Sequence, residues 1–410
     1  MKQRLPRRLL KGFAGLAILA AVVVTMLVTS LWVEHRTAVK LPTPSGSFAV
    51  GRIIEAWTDD VPDTLAPVPG TNRELLVWIW YPAATEPPTA TDHYLPPPLR
   101  TETERARGPL ISKFLTRDLS KVHAHSHHYP AVSPRERSYP VVILRAGASA
   151  GVANYSILAE DLASHGYVVV GFDAPYRTGL VVFPDGRVIR GSPENNPEGC
   201  LSRAGQQRDR CIERLLRAWI ADTAFLLHRL ERLNASGSSG KFGGRLDMTR
   251  VGAFGHSLGG ATVLQFCHQD SRCKAGIDVD GAPQGSVIQA RIRQPFMFLL
   301  SDHSHESDPE SRQIMANIQS IYDRLPVDGR FLIAIRGANH FTFSDDGAVL
   351  KSYALRGLLR LFGQLRIGGR RQLAVTAYCV HSFFDVYLKG TSGSRLEISS
   401  PLYPEIQVLE

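Results

Sequence analysis

An α/β fold, with a mostly parallel central sheet and helices on both faces, is predicted by two features of this 410-residue chain. From about residue 139 to residue 388, short apolar runs bounded by turn residues alternate with longer amphipathic stretches, which is the spacing of strand–helix–strand units. One of these units carries a small-residue turn, Gly255-His256-Ser257-Leu258-Gly259, between an apolar strand and a helix. A third feature adds an N-terminal transmembrane helix to that fold. Residues 12–33 are almost wholly apolar and uncharged, long enough to cross a bilayer.

Lys2, Arg4, Arg7, Arg8 and Lys11 precede the apolar run, so residues 1–11 are expected on the cytoplasmic side. Thr29-Ser30-Leu31-Trp32 is a poor cleavage site and Trp32 suits the far interface, so 12–33 reads as an uncleaved signal anchor. A cleaved signal peptide is the alternative. Either way the remainder is expected outside the cytoplasm, membrane-anchored in the first case and secreted in the second. Residues 34–47 are polar with proline and glycine and read as a linker, and 48–410 as one domain. The net charge of +9 is spread out, with no basic patch interleaved with aromatics, which argues against a nucleic-acid partner. Cys200 and Cys211, and likewise Cys267 and Cys273, are close enough for local disulfides in an oxidising compartment, with Cys379 left over.

Within the domain, residues 48–51 and 73–82 read as strands, with a proline-bearing loop between them. Residues 83–138 are rich in proline, threonine and charge, with helical hints at 110–119; so long a connection is expected to be functional or lid-like. His123, His125, His127 and His128 have no carboxylate or cysteine among them, so a polar strand edge or loop is expected there rather than a metal site. No metal or cofactor is expected elsewhere. Strands at 139–144 and 167–173 flank a helix at 155–165, which implies right-handed crossovers. A long helix follows at 212–233. Beyond the turn at Ser257 come strands at 275–280, 295–301 and 330–336 and helices at 311–325, 350–362 and 372–388.

The turn reads G-x-S-x-G. A strand, a sharp turn and a helix lift a serine hydroxyl to the top of a parallel sheet, the nucleophile elbow of the α/β-hydrolase fold. The backbone N–H of Leu258 then lies at a helix N-terminus, where developing negative charge is stabilised. A serine hydroxyl needs a base, and in this fold the chain order is serine, acid, histidine. His340, in Gly337-Ala338-Asn339-His340 after a late strand, fits the base. Asp280 and Asp302 each end a strand in the acid's place, and the residue pattern does not choose between them; Asp278 lies deeper on the same face as Asp280. His303 and His305 follow their strand too early for the base and are expected to be solvated loop residues. His381, on a predicted helix, is expected in a surface or packing role.

Three blocks carry a resemblance: Gly255-His256-Ser257-Leu258-Gly259-Gly260-Ala261, Gly276-Ile277-Asp278-Val279-Asp280, and Ile335-Arg336-Gly337-Ala338-Asn339-His340. With Val77-Trp78-Ile79-Trp80-Tyr81-Pro82 and Asp161-Leu162-Ala163-Ser164-His165-Gly166-Tyr167, in this order, they resemble the plasma-type platelet-activating factor acetylhydrolase family of the α/β-hydrolase superfamily. The resemblance implies Ser257 as nucleophile, Asp280 as acid and His340 as base. It implies a second oxyanion donor at the N–H of Ala148, and metal-free cleavage of short acyl groups from glycerophospholipids. Relatives usually carry His-Gly where this chain has Ala146-Gly147, a change that keeps the backbone donor. The expected partners are an ester or phospholipid substrate and, through the N-terminal helix, a membrane. A general carboxylesterase, lipase or polyester hydrolase on the same scaffold is the nearest rival reading. A catalytically silent binding protein is the remote one, and the intact Ser257, Asp280 and His340 speak against it.

Overall fold

Alternation decides which face of the sheet each residue meets. Val142, Leu144 and Val169 point to one side, and Val141, Ile143, Val168 and Val170 to the other, with all of them buried. Strands buried on both faces belong in the middle of a parallel sheet, and that is where these lie. The computed structural model describes residues 7–84, 91–237, 240–304, 308–363, 365–391 and 400–409. Its strands are β1 (Val39–Lys40), β2 (Ala49–Pro62), β3 (Asn72–Ala83), β4 (Thr91–His93), β5 (Val122–His128), β6 (Tyr139–Arg145) and β7 (Val168–Asp173). They continue as β8 (Leu180–Val182), β9 (Val188–Arg190), β10 (Leu246–His256), β11 (Cys273–Val279), β12 (Phe296–Leu300), β13 (Arg330–Ile335) and β14 (Ile406–Val408). The helices are α1 (Arg7–Arg36), α2 (Pro97–Leu110), α3 (Ser156–Ser164), α4 (Glu198–Leu201), α5 (Gly205–Ala235), α6 (Leu258–Gln269), α7 (Pro309–Tyr322), α8 (Tyr353–Leu361) and α9 (Gly369–Tyr387).

The main sheet runs β1-β5-β2-β3-β7-β6-β10-β11-β12-β13-β14, with β4 on β5; β8 and β9 form a separate hairpin. From β7 to β13 neighbouring strands are parallel, while β3 meets β7 antiparallel and β14 closes the far edge antiparallel on β13. Leu158 and Leu162 of α3 and Val380 and Phe383 of α9 cover one face. Leu226 and Leu230 of α5, Val263 and Phe266 of α6, and Ile318 and Ile321 of α7 cover the other. The predicted fold class is therefore the observed one.

Local differences have physical causes. β2 runs to Pro62 instead of stopping near residue 51, because β3 pairs with it in register from Ala49↔Ala83 to Thr58↔Glu74 and Ile53 and Trp57 are buried there. The helix hinted at in 110–119 begins earlier, at Pro97; a proline loses nothing at the first turn, where its missing N–H has no partner anyway. A π-helical turn, Ile111–Leu115, follows it. The 123–128 histidines lie on β5, which pairs with β1, β2 and β4. Residues 34–47, expected as a linker, are strapped to the domain. β1 pairs with β5, Leu41 is buried, and the Ser45 N–H and Oγ both donate to Asp161 Oδ1 at 2.8 Å. The two expected disulfides, Cys200–Cys211 and Cys267–Cys273, are formed, with Cα–Cα distances of 5.7 and 5.0 Å, and Cys379 is free and buried. One described helix, over Phe13–Arg36, is long and apolar enough to cross a membrane, and its most apolar stretch is not buried against the domain.

Candidate active site

β10 ends in the turn at Ser257, and α6 starts one residue later. Ser257 has φ 57° and ψ −127°, a region that non-glycine residues avoid at a cost of about 1–3 kcal/mol. Close packing enforces it. A Cβ on Gly255 would sit 2.4 Å from the backbone of Gly259, and one on Gly259 would sit 2.4 Å from the Arg145 carbonyl oxygen. The serine is thus pressed between the end of β6 and the first turn of α6.

Asp280 follows β11 with φ 55°. Its Oδ2 lies 2.7 Å from His340 Nδ1, in the loop after β13. Its Oδ1 accepts the Ser301 N–H at 2.8 Å and lies 2.8 Å from His303 Nε2. Burial pushes the Asp280 carboxyl up, but the hydrogen bonds from His303 and His340 outweigh it and hold the group far below the usual carboxylate range. Asp302 is elsewhere: its Oδ2 accepts the Gly337 N–H at 2.7 Å and braces the loop that carries His340. Asp278 accepts the Gly281 N–H at 2.8 Å, and its burial strongly favours the neutral acid.

His303 differs from the expected solvated loop residue. It is a partner of Asp280 on the oxygen His340 leaves free. The available signal was its place just after β12, the strand that pairs with β11, which Asp280 follows. His305 lies outside the described residues. His381 sits half-buried on α9, stacked on His165 at 4.1 Å, with its Nδ1 3.2 Å from Asp161 Oδ2. Among the described residues, Asp161, His165 and His381 are the grouping of metal-capable side chains; the 123–128 histidines do not form one. The nearly parallel stacking of the two imidazoles keeps one ion from lying in both ring planes, as ligation by two histidines requires.

The loop after β6 carries Ala148. The Gly147 N–H is taken by Tyr155 Oη at 3.2 Å and the Ser149 N–H by Asn196 Oδ1 at 3.2 Å, whereas the Ala148 N–H between them has no such partner among the described residues. The Leu258 N–H belongs to the first turn of α6, where helical amides have no partner within the helix. Tyr155 Oη also meets His256 Nδ1 at 2.9 Å, tying this loop to the elbow. Burial lowers His256 to about 3, so this imidazole, its ring centre 4.6 Å from that of His340 and tilted by 40° to it, is neutral. Tyr155 and Asn196 are bracing residues that no local pattern announced; both act across long sequence separations. The Cys200–Cys211 disulfide packs with Leu258 and Trp219, and Ala148 packs on the same cluster.

Ser257 and His340 line two adjoining cavities. One, of about 630 Å³, is bounded by Asp302, His303, Phe341, Phe362 and Arg366; the other, of about 560 Å³, by Ala148, Tyr155, Glu198, Leu359 and Leu365. A larger cleft of about 890 Å³ meets the first at Ala282 and Ile314. Ser257 Oγ and the imidazole are not hydrogen-bonded to each other; such a bond commonly tightens only around substrate.

A serine elbow on a mostly parallel sheet, with an imidazole and its carboxylate on the loops that follow later strands, defines an α/β hydrolase. The family described as Platelet-activating factor acetylhydrolase, isoform II, matches residues 33–175 and 222–378, and the chain belongs to it. The chain is 25% identical over 289 residues to the "Probable 1-alkyl-2-acetylglycerophosphocholine esterase" of Arthroderma benhamiae, covering 66% of each. It is 26% identical over 220 residues to the platelet-activating factor acetylhydrolase of Cavia porcellus, covering 50% of this chain and 48% of that one. It thus spans between about half and 66% of the length of these relatives. Among solved structures, the ferulic acid esterase of Streptomyces cinnamoneus is similar with a TM-score of 0.72 and 25% identity, covering 91% of this chain and all of that one.

Proposed function

We propose that the chain is a serine ester hydrolase in which Ser257 is the nucleophile, His340 the base and Asp280 the residue that orients it. The observation that carries this reading is the 2.7 Å contact between Asp280 Oδ2 and His340 Nδ1 beside a strained elbow serine. His340 takes the hydroxyl proton as Ser257 Oγ attacks the ester carbonyl, and the oxyanion lies against the N–H groups of Leu258 and Ala148. The intermediate collapses with release of the alcohol, which receives its proton from His340. Water then gives a proton to His340 and attacks the acyl-enzyme, freeing the acid and the serine. Asp280 stays ionised throughout and fixes Nδ1 as the protonated nitrogen, leaving Nε2 for the serine.

The relatives' names support a short acyl ester of a glycerophospholipid as substrate. The likeness to a ferulic acid esterase favours a second reading, a broader carboxylesterase. The apolar run of α1 supports a membrane-anchored enzyme with its catalytic domain outside the cytoplasm. Turnover across acyl length, on glycerophospholipids and on simple alkyl and aryl esters, separates the two substrate readings. A steep loss beyond short sn-2 chains with preference for the phospholipid supports the first. Equal or better turnover of hydroxycinnamate esters replaces it with the second.

A further inference from the structure

The end of α1 is clasped rather than tethered. Glu34 is buried, and its carboxylate accepts the Tyr353 N–H at 2.8 and 2.9 Å and pairs with Arg117 at 3.0 Å. Arg117 Nη1 also donates to the Glu34 carbonyl at 2.6 Å, the Asp118 N–H to the His35 carbonyl at 3.0 Å, and His35 Nδ1 lies 3.0 Å from the Thr116 carbonyl. A buried ion pair of this kind fixes geometry more than it adds stability. Here it joins the last turn of α1 to the first turn of α8, where a carboxylate also suits the helix dipole.

α8 buries none of its residues. Its sequence, Tyr-Ala-Leu-Arg-Gly-Leu-Leu-Arg-Leu, sets leucines against Arg356 and Arg360, and Phe362 follows at once. Leu358, Leu361 and Phe362 are exposed, Leu361 to 81%; Leu110 and Ile111, beside the π-helical turn that packs on α1, are exposed as well. Apolar and cationic residues on one surface helix are the composition of a helix that lies in a lipid–water interface. The same helix builds the mouth of the site: Leu359 lines one cavity and Phe362 the other, with Phe341, 72% exposed, lining both.

Height along α1 identifies the occupant of this surface. The twenty residues from Phe13 to Trp32 rise about 30 Å, the thickness of a hydrocarbon core, which places Trp32 at the far interface. Glu34, two residues on and about 3 Å higher, holds the start of α8. Beyond residues 1–11, whose five basic residues stay on the other side of the span, the chain keeps a net charge of +4, which favours an anionic lipid surface over bulk water. We propose that α8 lies on the bilayer that α1 crosses, so that the catalytic mouth opens onto that leaflet and takes its ester from the enzyme's own membrane. This rests on the anchor and esterase readings above.

The test reconstitutes the full chain in vesicles of phosphatidylcholine and phosphatidylglycerol. A short-acyl fluorogenic phospholipid is placed either in the same vesicles or in separate ones, and soluble p-nitrophenyl butyrate serves as the reference ester. Hydrolysis in the enzyme's own vesicles should exceed that in separate vesicles by at least about tenfold, as confinement raises the effective concentration. Leu358→Asp and Leu361→Asp should remove that advantage while p-nitrophenyl butyrate turnover stays within about twofold. Equal rates on both vesicle populations, or variants that change both substrates in proportion or neither, overturn the proposal. A chain that alkaline carbonate strips from the vesicles overturns the anchor and this inference with it. If p-nitrophenyl butyrate is not hydrolysed at all, the esterase reading fails separately. Docking is then still read from an environment-sensitive dye on Leu361→Cys. It should shift to the blue on vesicles and be quenched by headgroup-proximal quenchers, whereas a dye on Val327→Cys, at the opposite end of β13 from His340, should not. Identical behaviour of the two dyes overturns the proposal.

Discussion

Replacing His303 by leucine removes one of three hydrogen bonds on the Asp280 carboxylate: Ser301 N–H and His303 Nε2 on Oδ1, and His340 Nδ1 on Oδ2. The Asp280 side chain is 1% exposed, so water does not replace the lost partner. A hydrogen bond to a charged group contributes about 1.5–3 kcal/mol. At 1.36 kcal/mol per decade of rate, its full loss at the step that forms the imidazolium lowers kcat about 10- to 100-fold. That is far less than the roughly 10⁴-fold expected for Asp280 itself. The assay is steady-state hydrolysis of p-nitrophenyl butyrate, with circular dichroism confirming the fold. His303→Gln, which keeps an N–H donor, should recover most of the loss. In an Asp280→Asn background, His303→Leu should change kcat by no more than about twofold, because the two side chains act as one unit. A His303→Leu enzyme with wild-type kcat, or a loss that multiplies fully with that of Asp280→Asn, would mean that His303 does not act through Asp280.

Three other outcomes follow from the packing. Cys200→Ser with Cys211→Ser opens a staple that packs against Leu258, so stability to urea should fall by about 3 kcal/mol and kcat with it; an unchanged kcat would detach the staple from the site. Gly259→Ala drives a Cβ into the Arg145 and Ala146 carbonyl oxygens and should destabilise by more than about 3 kcal/mol, whereas Gly357→Ala, with nothing within 4 Å, should be neutral or slightly stabilising in the same thermal melts. Burial raises Asp173 to about 7 while it accepts the Val152 N–H and Trp78 Nε1–H. A raised folded-state value means a contribution complete below the unfolded value, near 4, and lost as pH rises through about 7. The stability difference between wild type and Asp173→Asn should therefore decline across that window and level off above it; a difference independent of pH in urea melts counts against it.

Local chemistry made much of this legible. The elbow announces itself because a strained serine needs glycines on both sides of it, and the buried strands β6 and β7 are valine-rich runs with no polar break. Asp280 and Asp302 looked alike because each ends a strand; only the fold sets one against His340 and the other against the Gly337 N–H. His303 was hidden for the same reason, since its meaning depends on a carboxylate 23 residues away. β1, β14 and the clasp at Glu34 are too short or too distant in sequence to leave a periodic pattern. Glu34 meets its partner Tyr353 across 319 positions.

Ester cleavage as proposed requires His340 to activate the Ser257 hydroxyl. Labelling of the full chain with a fluorophosphonate, followed by peptide mapping, reads that activation at the serine itself. Stoichiometric modification of Ser257 is expected, at least about a hundredfold slower in His340→Ala and absent in Ser257→Ala, which also loses ester turnover. Labelling at another residue, or undiminished turnover in Ser257→Ala, would mean that Ser257 is not the nucleophile.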